Sequence, residues 1–148
     1  MAEADRMNAM LVDHGSPVTA WLGMKVLSHD PETSVMRIAF DPRPESANMA
    51  GNVQGGIVVA MLDNAMGYNS FYSMGMANQQ ASIDIHTHFF NPVPMGRVEV
   101  EAKVVKTGRS VVFVEGWLYD KDGKLAARAV STTKIRPLAA KAANTNES

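Results

Sequence analysis

The stretch that most constrains this chain covers residues 48–75, where a glycine-containing loop leads into a long apolar segment. Residues 57–75 suffice for a helix of about five turns, at ~3.6 residues per turn. The segment is apolar on nearly every face, which predicts a buried helix rather than an amphipathic surface helix. Asp63 is its only charged residue, and a buried carboxylate is costly unless it is solvated or hydrogen-bonded. Asp63 is therefore either a structural residue facing a small polar pocket or an active-site carboxylate.

The spacing within this stretch indicates how a site could be built. The N–H groups of Gly55 and Gly56 are free donors at the helix start, with the positive end of the helix dipole behind them. Such donors suit a developing oxyanion or a polarised carbonyl. Asp63 follows Gly55 by eight residues, or ~12 Å along the axis, so it cannot reach the atom that they hold. If both act on one substrate, the carboxylate must come from an antiparallel second copy of the helix, which predicts a dimer.

A recognisable motif spans the loop and the helix: Asn48-x-x-Gly51-x-x-Gln54-Gly55-Gly56, then Asp63. It resembles the signature of the hotdog-fold acyl-CoA thioesterases of the phenylacetate-degradation (PaaI) type. The resemblance continues at Ser82-Ile-Asp84, at Phe90-Asn-Pro92 and in the closing strands, and covers about residues 18–136. The family usually has His where this chain has Gln54. Glutamine can orient a carbonyl but cannot gain a proton, so any acid role at that position is in question.

The resemblance implies a homo-oligomer, a dimer or a dimer of dimers, that hydrolyses an acyl-CoA thioester. It implies that the Gly55 N–H holds the thioester carbonyl, while Asp63 from a second subunit attacks the carbonyl or activates water. Asn48 and Gln54 would shape the carbonyl end of the site, and Ser82 would help to position the water or the acyl group. The implied reaction needs no metal or redox cofactor, and CoA is part of the substrate.

Further candidates for substrate binding are Gly56 and Asn64, in the same stretch. Lys106 and Arg109 flank the Thr107-Gly108 turn, and they could pair with the phosphates of CoA at a pocket mouth, as could Arg128. Such cations are more often solvated surface charges, so both interpretations of Lys106 and Arg109 stay open.

A second group of polar residues is predicted on one strand, where alternate side chains point the same way. Ser82, Asp84, His86 and His88 would then share a face. The two histidines could ligate a metal, but no third ligand lies at an obvious spacing, so we predict no metal site. Asp84 is interpreted as structural.

The rest of the chain predicts an α+β fold with one domain. Residues 1–17 form a short helical segment that packs on the body, with Ser16-Pro17 as its stop. Strands are expected over residues 19–28 and 35–40, the second with Met36, Ile38 and Phe40 facing inward. Four more, over residues 81–90, 97–106, 110–119 and 125–135, form an antiparallel meander with short turns. The simplest packing is a curved sheet of about six strands around one helix, a hotdog domain over residues 18–136. Residues 137–148 are expected to be a disordered tail.

Charge and composition exclude several function classes. The net charge of −1 gives no electrostatic basis for binding nucleic acid or a membrane surface. The chain has no cysteine, which removes disulfides and a thiol nucleophile and is compatible with the cytoplasm. No leader or membrane-spanning run is evident, and no Gly-x-Ser-x-Gly motif indicates a serine hydrolase. A non-catalytic acyl-CoA-binding module and a hotdog hydratase or dehydratase stay open, although Gln54 counts against the latter, which would need a His–carboxylate pair.

Overall fold

A six-stranded antiparallel sheet and one long helix form the body of the chain in the computed structural model, which describes residues 1–138. The helices and strands along the chain are α1 (Glu3–His14), α2 (Pro17–Trp21), β1 (Lys25–Asp30), β2 (Val35–Phe40), a 3-10 turn (Pro44–Ser46), α3 (Gly55–Ser73), β3 (Asn78–Phe89), β4 (Val98–Thr107), β5 (Val111–Tyr119) and β6 (Leu125–Pro137). The strand order across the sheet is β1-β2-β4-β5-β6-β3. The predicted α+β fold, a sheet around one central helix, is confirmed.

Helix α3 buries one face only, although its apolar composition predicted burial on nearly every face. Its buried residues recur at helical spacing and form one stripe: Val58, Met61, Leu62, Ala65, Met66, Asn69 and Ser70. A helix that lies on a single sheet can bury only the face that contacts the sheet. The other face, with Asp63 at its border, is half-buried in the single chain.

The position of α3 over the sheet depends on Gly116 in β5. A Cβ at Gly116 would lie 3.2 Å from Leu62 Cδ2 and from Met66 Cγ. A side chain there would push the helix away from the sheet, since cores are packed as densely as organic crystals. The glycine therefore fixes the distance between α3 and the sheet, and with it the position of Asp63.

The inward alternation predicted for β2 is confirmed. Met36, Ile38 and Phe40 are fully buried, and β2 pairs antiparallel with β4 along its whole length. Ala39 is buried as well. The three residues predicted to face inward are therefore part of the core.

The expected strand over residues 19–28 is wrong in its first part, because residues 17–21 form the short helix α2. Pro17 does not simply stop α1. It occupies the first turn of the new helix, where its missing N–H costs nothing. The Ser16 hydroxyl accepts the N–H of Thr19 and caps the helix. The strand β1 begins only at Lys25.

The N-terminal segment shares the core of the main body. Met7 of α1 is 3% exposed and packs in the same cluster as the residues beneath α3. Asn8 holds α1 to β1, because its side chain donates to Val26 O and accepts from Val26 N. Residues 1–17 are therefore packed on the sheet domain.

The predicted four-strand meander is wrong for β3. Strands β4, β5 and β6 do form a meander, but β3 pairs with β6 at the far edge of the sheet. The segment between β3 and β4 therefore crosses from one edge to the middle of the sheet instead of forming a hairpin turn. Its Pro92, Pro94 and Gly96 mark a turn in the sequence, but they carry no information on which strand β3 pairs with.

The C-terminal strand continues one residue beyond the predicted domain boundary. Pro137 pairs with Asn78, and the N–H of Leu138 donates to Ala77 O at 3.0 Å. The start of the predicted tail therefore belongs to the sheet. The remaining part of that tail, residues 139–148, lies outside the described residues.

Candidate active site

The Asp63 carboxylate lies where α3 faces the edge strand β3. It is half-buried and accepts a 2.8 Å hydrogen bond from the Ser82 hydroxyl. Both residues line a cavity of about 220 Å³. The structure therefore brings together two predicted site residues that are 19 apart in sequence. A half-buried carboxylate with a single donor keeps acceptor capacity for a ligand or a water.

Ser82 and Asp63 can meet because of a β-bulge. The register of β3 against β6 shifts between Ser82 and Asp84, and an extra residue reverses which face the following side chains occupy. The prediction that Ser82 shares a face with Asp84, His86 and His88 is therefore wrong. Ser82 faces α3, and the other three lie on the opposite, outer face of the sheet.

The outer face does not assemble a metal site from these residues. Within residues 1–138, no three side chains among His, Asp and Glu are close enough together to hold a metal ion. Asp84 has a structural contact, since its Oδ1 accepts the N–H of Thr132 at 3.1 Å.

The other end of the predicted site lies at the start of α3. Gly55 and Gly56 are the first two residues of the helix, and Gln54 is its N-cap. Among residues 1–138, no hydrogen bond to either glycine N–H is found, as expected for the first turn of a helix. These two donors point out of the helix start with the positive end of the dipole behind them.

Packing does not explain the two glycines. A Cβ at Gly55 would lie 3.6 Å from the Phe89 ring, an ordinary contact, and a Cβ at Gly56 would meet nothing within 4 Å. Glycine in a helix costs roughly 0.5–1 kcal/mol relative to alanine. Glycine at these positions places no side chain beside the two backbone N–H groups, so the space around them is open.

Asn48 lies beside this helix start and organises the loop before it. Its Oδ1 accepts the N–H groups of Ala50 and Asn52 at 3.0 and 3.1 Å. Asn48 and Gly55 both line a cavity of about 440 Å³, together with the half-exposed rings of Phe89 and Phe90. The side-chain oxygen of Asn48 is thus used by the loop, and its amide N–H₂ is the group left for a ligand.

Gln54 is exposed, and its side chain makes no capping hydrogen bond. Its backbone N–H donates to Ser46 O at 2.8 Å, which fixes the entry of the chain into α3. The polar side chain is therefore held next to the Gly55 donor without a partner in residues 1–138.

The two halves of the predicted site are separate within one chain. The cavity at Asp63 and the cavity at Gly55 share no lining residue. The offset of eight positions from Gly55 to Asp63 corresponds to ~12 Å along the helix. The carboxylate and the N–H donors of one subunit therefore cannot contact the same carbonyl.

The additional binding candidates are divided between the site and the surface. Asn64 lines the Asp63 cavity, accepts from the Thr19 hydroxyl at 3.3 Å and donates to Ala60 O at 3.1 Å. Lys106 and Arg109 are exposed at the β4–β5 turn and line neither of the two cavities. Within one chain, the structure does not bring these two cations to Gly55 or to Asp63.

Four lining residues of the Asp63 cavity were not predicted from the sequence: Gly67, Tyr68, Gln80 and Thr133. Tyr68 lies on α3, and burial raises the pKa of its hydroxyl above the usual value. Gln80 lies on β3, where its side chain hydrogen-bonds the Ser70 hydroxyl. The spacing in the sequence could have indicated two of them. Tyr68 follows Asn64 by one helical turn, and Gln80 precedes Ser82 by two residues on one strand face.

Comparisons with known proteins agree with this fold. The family model described as the thioesterase superfamily matches residues 50–127. A protein of Saccharolobus solfataricus, an esterase by name, is 28% identical over 115 residues, which are 78% of this chain and 80% of that protein. A phenylacetic acid degradation-related protein from Ralstonia eutropha, a thioesterase by name, is similar in structure with a TM-score of 0.77 and 26% identity, over 85% of this chain and 97% of that one.

A further solved structure comes from Thermus thermophilus and is a variant of the phenylacetic acid degradation protein PaaI. It has a TM-score of 0.70 and 26% identity, and the match covers 80% of this chain and 98% of that chain. Among the helices of residues 1–138, none combines the length and the apolarity needed to cross a bilayer.

Proposed function

Because the chain belongs to the thioesterase superfamily, we propose that its substrate is an acyl-CoA thioester, which it hydrolyses to a free acid and CoA. The observation that carries this proposal is the Asp63–Ser82 pair. It places a hydrogen-bonded, half-buried carboxylate in a cavity, at the position where the resembling family has its catalytic carboxylate. No metal or redox cofactor takes part in the proposed reaction.

In the proposed reaction, the thioester carbonyl accepts a hydrogen bond from the Gly55 N–H. The helix dipole adds positive potential at this point, equivalent to roughly half a charge. Both effects grow as the carbonyl oxygen becomes negative, so they stabilise the transition state more than the substrate. Asn48 and Gln54 then fix the position of the carbonyl at the helix start.

The Asp63 carboxylate acts by one of two routes. As a nucleophile, it forms a mixed anhydride with the acyl group, releases CoA as the thiolate, and is regenerated when water hydrolyses the anhydride. As a general base, it takes a proton from water while the water oxygen attacks the carbonyl. The tetrahedral intermediate then expels CoA as the thiolate, and the proton leaves Asp63 to regenerate the carboxylate. After a single turnover in heavy-oxygen water, label in Asp63 identifies the nucleophilic route, in which water attacks the Asp63 carbonyl carbon of the anhydride. Label in the acid product alone is common to both routes.

The proposed site is shared between two subunits. The separation between Gly55 and Asp63 requires that the carboxylate come from a second chain. Strand β3 offers a route to that arrangement, because it is an edge of the sheet and edge strands are templates for pairing with another chain. An antiparallel pairing of two β3 strands would place Asp63, which lies against β3, next to the subunit boundary.

The test is thiol release from a panel of acyl-CoA thioesters, followed with a thiol-reactive dye. Asp63→Asn should keep the fold and lower turnover by about a hundredfold or more, the usual scale for a positioned acid or base. Asp122→Asn is a matched control, since Asp122 is an exposed turn residue outside both cavities. Folded Asp63→Asn protein with wild-type turnover would remove Asp63 from the mechanism. Binding of acyl-CoA without thiol release by the wild type would instead identify a binding module.

A further inference from the structure

A groove between α1 and α2 lies outside the two cavities described above. It has a volume of about 600 Å³, and its apolar walls come from Leu11 and Val12 of α1, Pro17 and Ala20 of α2, and Met24. Ligand pockets in proteins span about 300–1,000 Å³. The groove therefore has the size of a binding site, and α2, which the sequence did not predict, is one of its walls.

Four polar side chains line the groove, those of Asn8, Ser16, Thr19 and Lys25. Lys25 is exposed, and the other three are already hydrogen-bonded to the protein. Asn8 uses both ends of its amide on the backbone of Val26. The Ser16 hydroxyl bonds the Thr19 hydroxyl at 2.9 Å, and the Thr19 hydroxyl lies 3.3 Å from Asn64 Oδ1. The surface that these groups leave for a ligand is mainly hydrocarbon, which favours an aliphatic occupant.

Only Gly15 and Ser16 connect α1 to α2. Gly15 follows α1, and a Cβ at this position would lie 2.2 Å from Leu11 O. No other residue allows α2 to begin so close to the end of α1. The walls are therefore set by the backbone, while Met24 supplies a flexible thioether that adapts to different chains.

The groove adjoins the Asp63 cavity. Thr19 lines the groove and Asn64 lines the cavity, and the 3.3 Å contact between their side chains lies between the two spaces. An acyl chain whose carbonyl is at Asp63 would enter the groove only after passing Asn64. The first carbons of the acyl group would remain in the polar cavity.

We infer that the groove between α1 and α2 holds the distal part of an aliphatic acyl chain, and so sets the chain-length preference of the proposed thioesterase. This inference rests on the proposed function, since it needs an acyl-CoA bound with its carbonyl near Asp63. Short acyl groups end before the groove and do not contact it. Each methylene that enters it strengthens binding by up to about fourfold, the equivalent of ~0.8 kcal/mol per buried methylene.

The experiment measures binding by calorimetry in the Asp63→Asn background, where turnover is slowed. Octanoyl-CoA and acetyl-CoA share the CoA part and differ only in the chain. If three methylenes of octanoyl reach the groove, octanoyl-CoA should bind about sixtyfold more tightly than acetyl-CoA. Adding Ala20→Phe, which fills the groove from its exposed wall, should reduce this preference at least about tenfold. Adding Ala9→Phe, at an exposed position of α1 outside the groove, should leave it unchanged.

The possible results distinguish failure of the proposed function from failure of the inference about the groove. If neither CoA ester binds, the proposed function fails. If both bind and the preference for octanoyl-CoA survives Ala20→Phe, or Ala9→Phe abolishes it equally, the groove is not the chain site. If Ala20→Phe does not fold, Ala20→Leu fills the same wall with a smaller side chain and gives the same comparison.

Discussion

Removing the Ser82 hydroxyl tests whether the Asp63 carboxylate depends on it. The hydroxyl donates to Asp63 Oδ1 at 2.8 Å across the gap between β3 and α3. No other hydrogen bond to this carboxylate is found in residues 1–138, and Ser82 itself is exposed. Ser82→Ala therefore removes one contact of Asp63 and leaves the core unchanged.

The loss of rate expected for Ser82→Ala follows from the strength of this hydrogen bond. A hydrogen bond to a charged group contributes ~1.5–3 kcal/mol. Because Ser82 is exposed, water can replace part of the lost hydrogen bond, and we expect a loss near the lower end, ~1.4 kcal/mol. That is about tenfold in rate. Because the same hydrogen bond is part of the folded chain, the free energy of unfolding should fall by no more than that same amount, ~1.4 kcal/mol.

The assay is kcat and KM for thiol release, with the free energy of unfolding measured in denaturant. Ser82→Ala should lower kcat about tenfold with little change in KM, because the hydroxyl positions the reacting carboxylate rather than binding CoA. Ser28→Ala is the matched control, since Ser28 is an exposed strand serine whose hydroxyl has no partner in the described part of the chain. Wild-type kcat in folded Ser82→Ala protein would refute the positioning role.

Two further substitutions test the helix start and the surface charges. Gln54→His should fold and keep or raise thioesterase activity, because both side chains are polar and Gln54 is exposed; complete loss of turnover in folded protein would give Gln54 a role of its own. Arg97→Gln removes the hydrogen bonds from Arg97 that hold the pKa of Asp41 below its usual value. A carboxyl group whose pKa is lowered in the folded state stabilises the fold at pH values above its usual pKa. This stabilisation is lost as the pH falls through the lowered pKa. The wild type should therefore melt slightly above the variant near neutral pH, and the difference should disappear in acid; a constant difference would contradict this origin.

The features that local patterns determine were predictable from the sequence. The alternation in β2 predicted its buried residues, and the apolar segment around Asp63 predicted the central helix. Both patterns are recognised within a short stretch of sequence. The helix composition did not show which face contacts the sheet. Only the packed structure places Asp63 at the border of the buried stripe.

The features that depend on distant pairing or on small local changes were not predictable. The placement of β3 beside β6 is a long-range pairing that the turn residues after β3 do not encode. The bulge before Asp84 changes the face of every later residue in β3, including His86 and His88, and no residue of the sequence marks it clearly. Helix α2 was missed because Pro17 both ends one helix and begins the next.

The meeting of Asp63 with Ser82 was expected only from the family resemblance. Asp63 belongs to α3 and Ser82 to β3, and nothing in the sequence alone indicates that the two side chains meet. The charges of Lys106 and Arg109 suggested a role in binding CoA phosphates, but the single chain leaves both residues away from the two cavities. The predicted site includes residues from two subunits, so a single chain does not bring all of its residues together.

Complementation between two inactive variants tests the shared site most directly. Asp63→Asn removes the carboxylate, and Gly55→Pro removes the donor N–H, at a helix position that tolerates proline. Each homodimer then has two defective sites. A mixed dimer combines an intact Gly55 from one chain with an intact Asp63 from the other, which gives one complete site and one doubly defective site. Folding of Gly55→Pro is checked first by circular dichroism.

Random mixing of equal amounts yields about half mixed dimers, so co-refolded chains should recover roughly a quarter of wild-type turnover if sites act independently. Mass measurement of differently tagged chains establishes the fraction of mixed dimers. Recovery in proportion to that fraction is the result that a site built from Gly55 of one subunit and Asp63 of another predicts. Mixed dimers that form and show no turnover would contradict it.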